Sequence, residues 1–144
     1  MAECAAKAAE SGVTLSINLP VATTPGHIGH TNAFWAQYAT GRPAGEKAVM
    51  SLAALHPKTP DAANEVAGIA DMGFAGIKFH LKYQEFRFND PAMDDVWAAM
   101  SEKGLVAYLH AGGEWVFSVP YHSSPSEILE LFEIGSFANA GAPL

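Results

Sequence analysis

The sequence predicts an α/β chain of about four parallel strands alternating with helices, arranged as part of a (β/α)8 TIM-like barrel. Three observations carry this. Short apolar runs alternate with helix-like segments, and a glycine closes a helix-like segment just before the next run at Gly12, Gly73 and Gly104. Three successive runs end in a histidine, at His56, His80 and His110. Those histidines are spaced at 24 and 30 residues, about one βα unit. Parallel strands point their carboxyl ends at one rim, where α/β proteins bind ligands, so the three imidazoles are expected to share a mouth.

The elements follow in order. Residues 2–10 are alanine-rich and stop at Ser11 and Gly12, which reads as a helix. Residues 13–19 are short, apolar and β-branched and end at Pro20, a strand. Thr23, Thr24, Pro25 and Gly26 form a turn, and a helix over 31–39 begins nearer His27. A Gly/Pro loop over 40–46 leads to a strand over 49–55. Thr59 as N-cap, Pro60 at N1 and Asp61 in the first turn start a helix running to Met72. A strand over 76–80, an aromatic and charged loop over 83–89 and a helix from Asp90-Pro91 to about Lys103 follow. The last strand covers 105–110, then an aromatic loop over 115–122 and a helix from about Ser124 to Phe132. One domain is expected over 1–134, with a flexible tail over 135–144.

Alternation along the strands divides the side chains by face. Ser16, Asn18, His56, Lys78, His80, Tyr108 and His110 collect on one side. Leu15, Ile17, Leu19, Ala53, Leu55, Ile77, Phe79, Ala107 and Leu109 collect on the other, suited to packing under helices. A partly polar inner face and an apolar outer face favour barrel curvature over a flat sheet, which wants both faces apolar.

Composition narrows the function classes. The net charge is −7 with only 8 Lys+Arg, which argues against nucleic acid or an anionic membrane as partner. Charged residues are 16% of the chain, below the usual ~25%, which leaves surface for another partner. Cys4 is the single cysteine, so neither an internal disulfide nor a thiolate metal cluster is expected. No apolar stretch approaches the ~20 residues of a membrane span, and residues 1–7 do not read as a secretion leader. A cytoplasmic protein is expected. There is no Gly-x-Gly-x-x-Gly, Walker loop or Gly-x-Ser-x-Gly elbow.

The order Gly73-Phe74-Ala75-Gly76-Ile77-Lys78-Phe79-His80, then Tyr83-Gln84-Glu85-Phe86, then Asn89-Asp90-Pro91, then Tyr108-Leu109-His110-Ala111-Gly112-Gly113 resembles the metal-dependent amidohydrolase superfamily. It is most similar to the amidohydrolase-related branch, which includes hydrolases and non-oxidative decarboxylases, and the similarity spans roughly 13–132. The resemblance implies an eight-stranded barrel with one or two divalent metals, zinc or manganese, at the strand ends. It implies ligands from a His-x-His pair on the first strand, histidines on the fifth and sixth, and an aspartate on the eighth. Some members add a carboxylated lysine or a glutamate on the fourth. His110 matches the fifth-strand histidine and is the expected metal ligand. Lys78 or His80 occupies the fourth-strand position, and both are expected to be catalytic. No His-x-His precedes Val13, so the chain is expected to cover strands two to five, a truncated form of a hydrolase or decarboxylase acting on a small molecule. The alternative is a non-catalytic half-barrel or binding module that forms a homo-oligomer through exposed strand edges.

Other residues weigh differently. His56 precedes Pro57, which forces it extended. His27 and His30 have i,i+3 spacing but sit at a turn and read as a solvated helix start. Glu114 follows a Gly-Gly turn, where a carboxylate serves acid/base chemistry or simply the loop. Tyr83, Phe86, Phe88, Trp115, Phe117 and Tyr121 line a pocket or cover the barrel top. Asp90, Asp94 and Asp95 cap a helix. Lys78 turned into a barrel needs an acid partner, a depressed pKa or a modification.

Overall fold

The computed structural model describes residues 2–40 and 48–110, with Ser126 and Leu129. Helix α1 (Ala2–Glu10) leads into strand β1 (Leu15–Asn18). A 3-10 turn at Pro25–His27 opens helix α2 (Ile28–Trp35), and another at Ala36–Tyr38 closes it. Strands β2 (Ala48–Ser51) and β3 (Ala53–Ala54) precede helix α3 (Ala62–Asp71). Strand β4 (Gly76–Phe79), a 3-10 turn at Pro91–Met93, helix α4 (Asp94–Glu102) and strand β5 (Val106–Leu109) complete the described fold. Parallel strands alternate with helices, the partial α/β barrel that the sequence predicts. The tail expected over 135–144 and the aromatic loop over 115–122 lie outside the described residues. Of the helix expected over 124–132 only Ser126 and Leu129 are described, and both are helical.

Strands β1 and β2 pair in parallel, and so do β3, β4 and β5. The two sheets are halves of one arc. Leu52, between β2 and β3, donates its N–H to Asn18 O at 3.1 Å, extending the β1 ladder. Ala54 turns its N–H and C=O toward the same side. There the Asn32 side chain of α2 receives the N–H at 2.8 Å and donates to the carbonyl at 2.9 Å. Every second residue therefore keeps facing β1 from Leu52 to Ala54, and the side-chain alternation runs through unbroken.

That continuity settles the faces. Ala53, Leu55, Ile77 and Phe79 are fully buried, with Ala107 and Leu109 packed on the same core. Val66 and Ile69 of α3 and Val96, Trp97 and Met100 of α4 cover them. Trp97 meets Phe79 edge-on at 5.2 Å and Phe88 at 5.0 Å. On the inner face, Leu52, Ala54 and His56 lie beside Lys78 and His80. Strand β1 departs from the sequence expectation. Ser16 pairs with Val49 and Asn18 with Ser51, and by alternation Val49 and Ser51 share the outer face with Ala53. Ser16 and Asn18 thus face outward, with Asn18 Nδ2 donating to the Ser51 hydroxyl at 3.0 Å. Leu15 and Ile17 lie on the inner face and are exposed. Polarity misleads here because a single Ser51 hydroxyl under the helix layer is enough to satisfy an outward amide.

Helix boundaries follow local chemistry. Gly73 and Gly104 stop α3 and α4 at φ of 84° and 66°, a left-handed conformation that other residues adopt at a cost. The Asp90 carboxylate accepts from Ala92 N–H at 3.0 Å and caps the turn into α4, as expected. The cap of α3 is not Thr59. Asp61 takes that place with φ 57°, and its carbonyl accepts from Asn64 and Glu65. Pro60 cannot donate and fixes only its own φ, and the helix starts two residues later than the proline-at-N1 pattern predicts.

Candidate functional site

The carboxyl ends of β4 and β5 build the candidate site. In parallel register Lys78 stands opposite Tyr108. The chain then leaves both strands, with His110 N–H donating to Phe79 O at 3.1 Å, so His110 arrives beside His80. The two imidazoles stack with centroids 4.2 Å apart and planes 10° from parallel. Tyr83 covers the other flank of His80, ring centroids 4.2 Å apart. One position deeper, Lys78 Nζ lies 5.0 Å from the centre of the Tyr108 ring. Lys78, His80 and His110 therefore come together at one mouth, as the strand parity requires.

Burial distinguishes them. Lys78 is 5% exposed and His80 6%, whereas His110 is half-buried. Burial pushes the Lys78 amine below its ordinary pKa of 10.5. Gly76 permits this close approach of β4 to β5, because a Cβ there would run into the Val106 carbonyl.

Gln84 positions the site, and sequence reading missed it. Its Oε1 accepts from His80 N–H at 2.8 Å. Its Nε2 donates to Ala22 O at 2.9 Å and to Leu55 O at 2.6 Å. One buried amide thus ties together the segments that follow β1, β3 and β4. The residue lies in the Tyr83–Phe86 stretch that carries the family resemblance, but nothing local marks its amide as a tie.

His56 is buried beside this hub but points to structure. Its Nδ1 accepts from Lys58 N–H at 3.1 Å, which fixes the neutral ring with its proton on Nε2. Its pKa falls below the ordinary 6.5, first through burial and then through the charge of Lys58. A hydrogen bond with the Thr23 backbone and the charge of Glu85 oppose the fall. His27 and His30 remain exposed at the start of α2, with Thr23 Oγ1 3.4 Å from His27 Nδ1. Tyr83 is exposed over the mouth, whereas Phe86 and Phe88 are core residues. Glu114, Trp115, Phe117 and Tyr121 lie outside the described residues.

The donor set bears on a metal. An imidazole ligates through a lone pair in its ring plane. An ion in the plane of His110 lies out of the nearly parallel plane of His80, so the stacked pair cannot share one ion. Each ring alone can still be a ligand. Among the described residues no three His, Cys, Asp or Glu side chains gather around a common point. The stack therefore leaves room for one of the two rings, not both, as a ligand to a given ion at this strand end.

The amidohydrolase family model matches residues 3–140. The chain belongs to that family, whose fold is a (β/α)8 barrel. No curated protein and no solved structure matches it. Among the described residues no helix is long and apolar enough to cross a membrane.

Proposed function

We propose that this protein is a metal-dependent hydrolase, or a related non-oxidative decarboxylase, acting on a small molecule at the mouth formed by β4 and β5. Membership of the amidohydrolase family supports the reaction class. The observation that carries the site is the stacking of His80 on His110 directly above Lys78. In this reading His110 is one metal ligand and the remaining ligands come from outside the described residues. A bound zinc or manganese ion lowers the pKa of its water and polarises a carbonyl. The chain's own groups do the rest. His80, held in place by Gln84 and flanked by Tyr83, holds or moves a proton at the rim. Lys78 faces the substrate from one position deeper on β4. A cytoplasmic location goes with this reading.

Metal content and turnover test it together. The purified protein is expected to retain a divalent metal, and His110→Ala to lose both the metal and metal-supported activity. Unchanged metal content in His110→Ala removes the ligand assignment.

A second reading has its own observation. Leu15, Ile17, Val106 and Tyr108 expose 45%, 47%, 62% and 46% of their surface on the inner face. Strands β1 and β5 also have no strand beyond them among the described residues. We propose, as the alternative, that a second copy of the chain covers this face and the protein acts as a self-associating module.

A further inference from the structure

A titratable ring stands one peptide away from the amide that holds His80. His56 is 4% exposed in the turn after β3. Its Nδ1 accepts from Lys58 N–H at 3.1 Å, and its carbonyl accepts from Thr59 N–H at 2.9 Å. A further bond ties the ring to the Thr23 backbone in the loop after β1. The Leu55 carbonyl belongs to the peptide that enters His56, and it accepts from Gln84 Nε2 at 2.6 Å. Gln84 Oε1 in turn accepts from His80 N–H at 2.8 Å. A shift of the backbone at His56 therefore moves an acceptor of Gln84. Beside Gln84, Glu85 stands at φ 53°, a conformation that costs a non-glycine residue. Its carboxylate reaches Lys58 at 3.3 Å, but that ion pair is exposed and weak. The bonds of the His56 ring carry most of the tie.

From this we infer that His56 is a proton-sensitive positioning residue: when its ring takes up a proton, the turn at Lys58 opens and Gln84 loosens its hold on His80. The inference rests on the reading of this mouth as the site and adds its control by acidity. A neutral imidazole has one nitrogen that accepts, and imidazolium has none. A proton on Nδ1 sets one N–H donor against another, that of Lys58. The new charge also meets the Lys58 ammonium and a buried setting, the two causes that already hold this ring below its ordinary pKa. The ring therefore charges more readily with the turn open. The surrounding titratable groups are Lys58 on its own segment, Glu85 on the loop after β4, and Lys78 and His80 on β4 itself. On the β1 side His27 lies beyond Thr23, and at the start of α3 Asp61 turns its carboxylate to Asn64.

Hydrogen exchange on the full chain, followed by NMR and corrected for the intrinsic rate at each pH, tests this. Between about pH 7.5 and about pH 5, protection of His80 N–H and of the Gln84 side-chain amide is expected to fall at least about threefold. Val106 N–H, bonded to Ala75 O in the β4–β5 ladder, is expected to keep its protection. His56→Asn supplies the rescue, because an asparagine oxygen accepts from the N–H two residues on and does not titrate. In that variant His80 N–H should stay protected at both pH values. The native protein alone also decides. The midpoint of the loss must match the titration of the His56 ring, read from its carbon-bound protons. Constant protection of His80 N–H, a midpoint belonging to another ring, or an equal loss at Val106 N–H overturns the inference. So does an acid loss in a folded His56→Asn as large as in the native protein. The readout needs neither metal nor turnover. A protein that shows the exchange pattern without activity sinks only the hydrolase reading, and activity without the pattern sinks only the role of His56.

Discussion

Gln84 illustrates how one side chain holds a site that lies on other residues. Its amide answers one N–H and two carbonyls, from His80, Ala22 and Leu55. Gln84→Ala leaves all three groups buried without their partner, so a loss of about 2–4 kcal/mol is expected in denaturant unfolding. Gln84→Glu keeps the acceptor for His80 N–H but sets a carboxylate against two carbonyls, and should cost at least as much at neutral pH. A loss under about 0.5 kcal/mol for Gln84→Ala would show that the hub is not a structural tie. His56 makes a prediction of different sign. Its folded pKa lies below its unfolded 6.5, so the unfolded chain binds the proton more readily. Stability from this residue is therefore complete above about pH 6.5 and is lost as pH falls toward the folded pKa. Comparing unfolding of the native protein and His56→Gln at neutral pH and at about pH 5 checks it. The native protein should lose more stability on acidification than the variant, and equal losses would contradict the assignment. At this scale the strand-end residues Lys78, His80 and His110 were legible, because period-two alternation needs only the strand. Gln84 was not, because an amide bridging three distant carbonyl and N–H groups leaves no local pattern.

Asn32 plays the part of a missing strand. Beyond Asn18 strand β1 ends, and the β1-facing N–H and C=O of Ala54 would be left bare inside the core. The Asn32 side chain, itself 2% exposed, supplies one acceptor and one donor in the geometry of a ladder partner. Asn32→Asp is the sharper test, since it retains the acceptor and turns the donor into an oxygen facing Ala54 O. A loss of about 2–3 kcal/mol is expected, with faster hydrogen exchange at Ala54 N–H in Asn32→Ala. Unchanged exchange there would mean that another group satisfies the edge. On the other side of the sheet, Gly76→Ala drives a methyl into the Val106 carbonyl between β4 and β5. A cost of about 1–3 kcal/mol is expected from forced strand separation. Thermal unfolding of Gly76→Ala reads it, and a native-like midpoint would show that the ladder yields freely. The order of helices and parallel strands was legible, because glycine stops and apolar runs are local signals. The facing of β1 was not. Two alternations fit LSIN equally well, and only its register against Val49 and Ser51 decides between them.

At the scale of the whole molecule the two faces of the sheet arc are unequal. Two helices seal the outer face, where Ile77 and Phe79 are fully buried, each worth about 1.5–3 kcal/mol. The inner face is closed at its centre, by Leu52, Ala54 and the residues around Lys78, and open at both margins. Ile17 marks one margin and Val106 the other, each near the edge of its own strand pair. In water these margins favour association by apolar burial, whereas a net charge of −7 repels a second copy. The two effects respond oppositely to salt, since screening weakens only the repulsion. If the second reading holds, the average mass in light scattering should rise with protein concentration, and rise further between low salt and about 0.5 M NaCl. Ile17→Lys combined with Val106→Lys should return the protein to a monomer at every salt concentration. The same double variant should cost little in stability, because neither side chain is buried in the described fold. A native protein that stays monomeric across both series would leave the margins as bare surface and favour the enzymatic reading. A double variant that unfolds instead would show that the margins are covered within one chain.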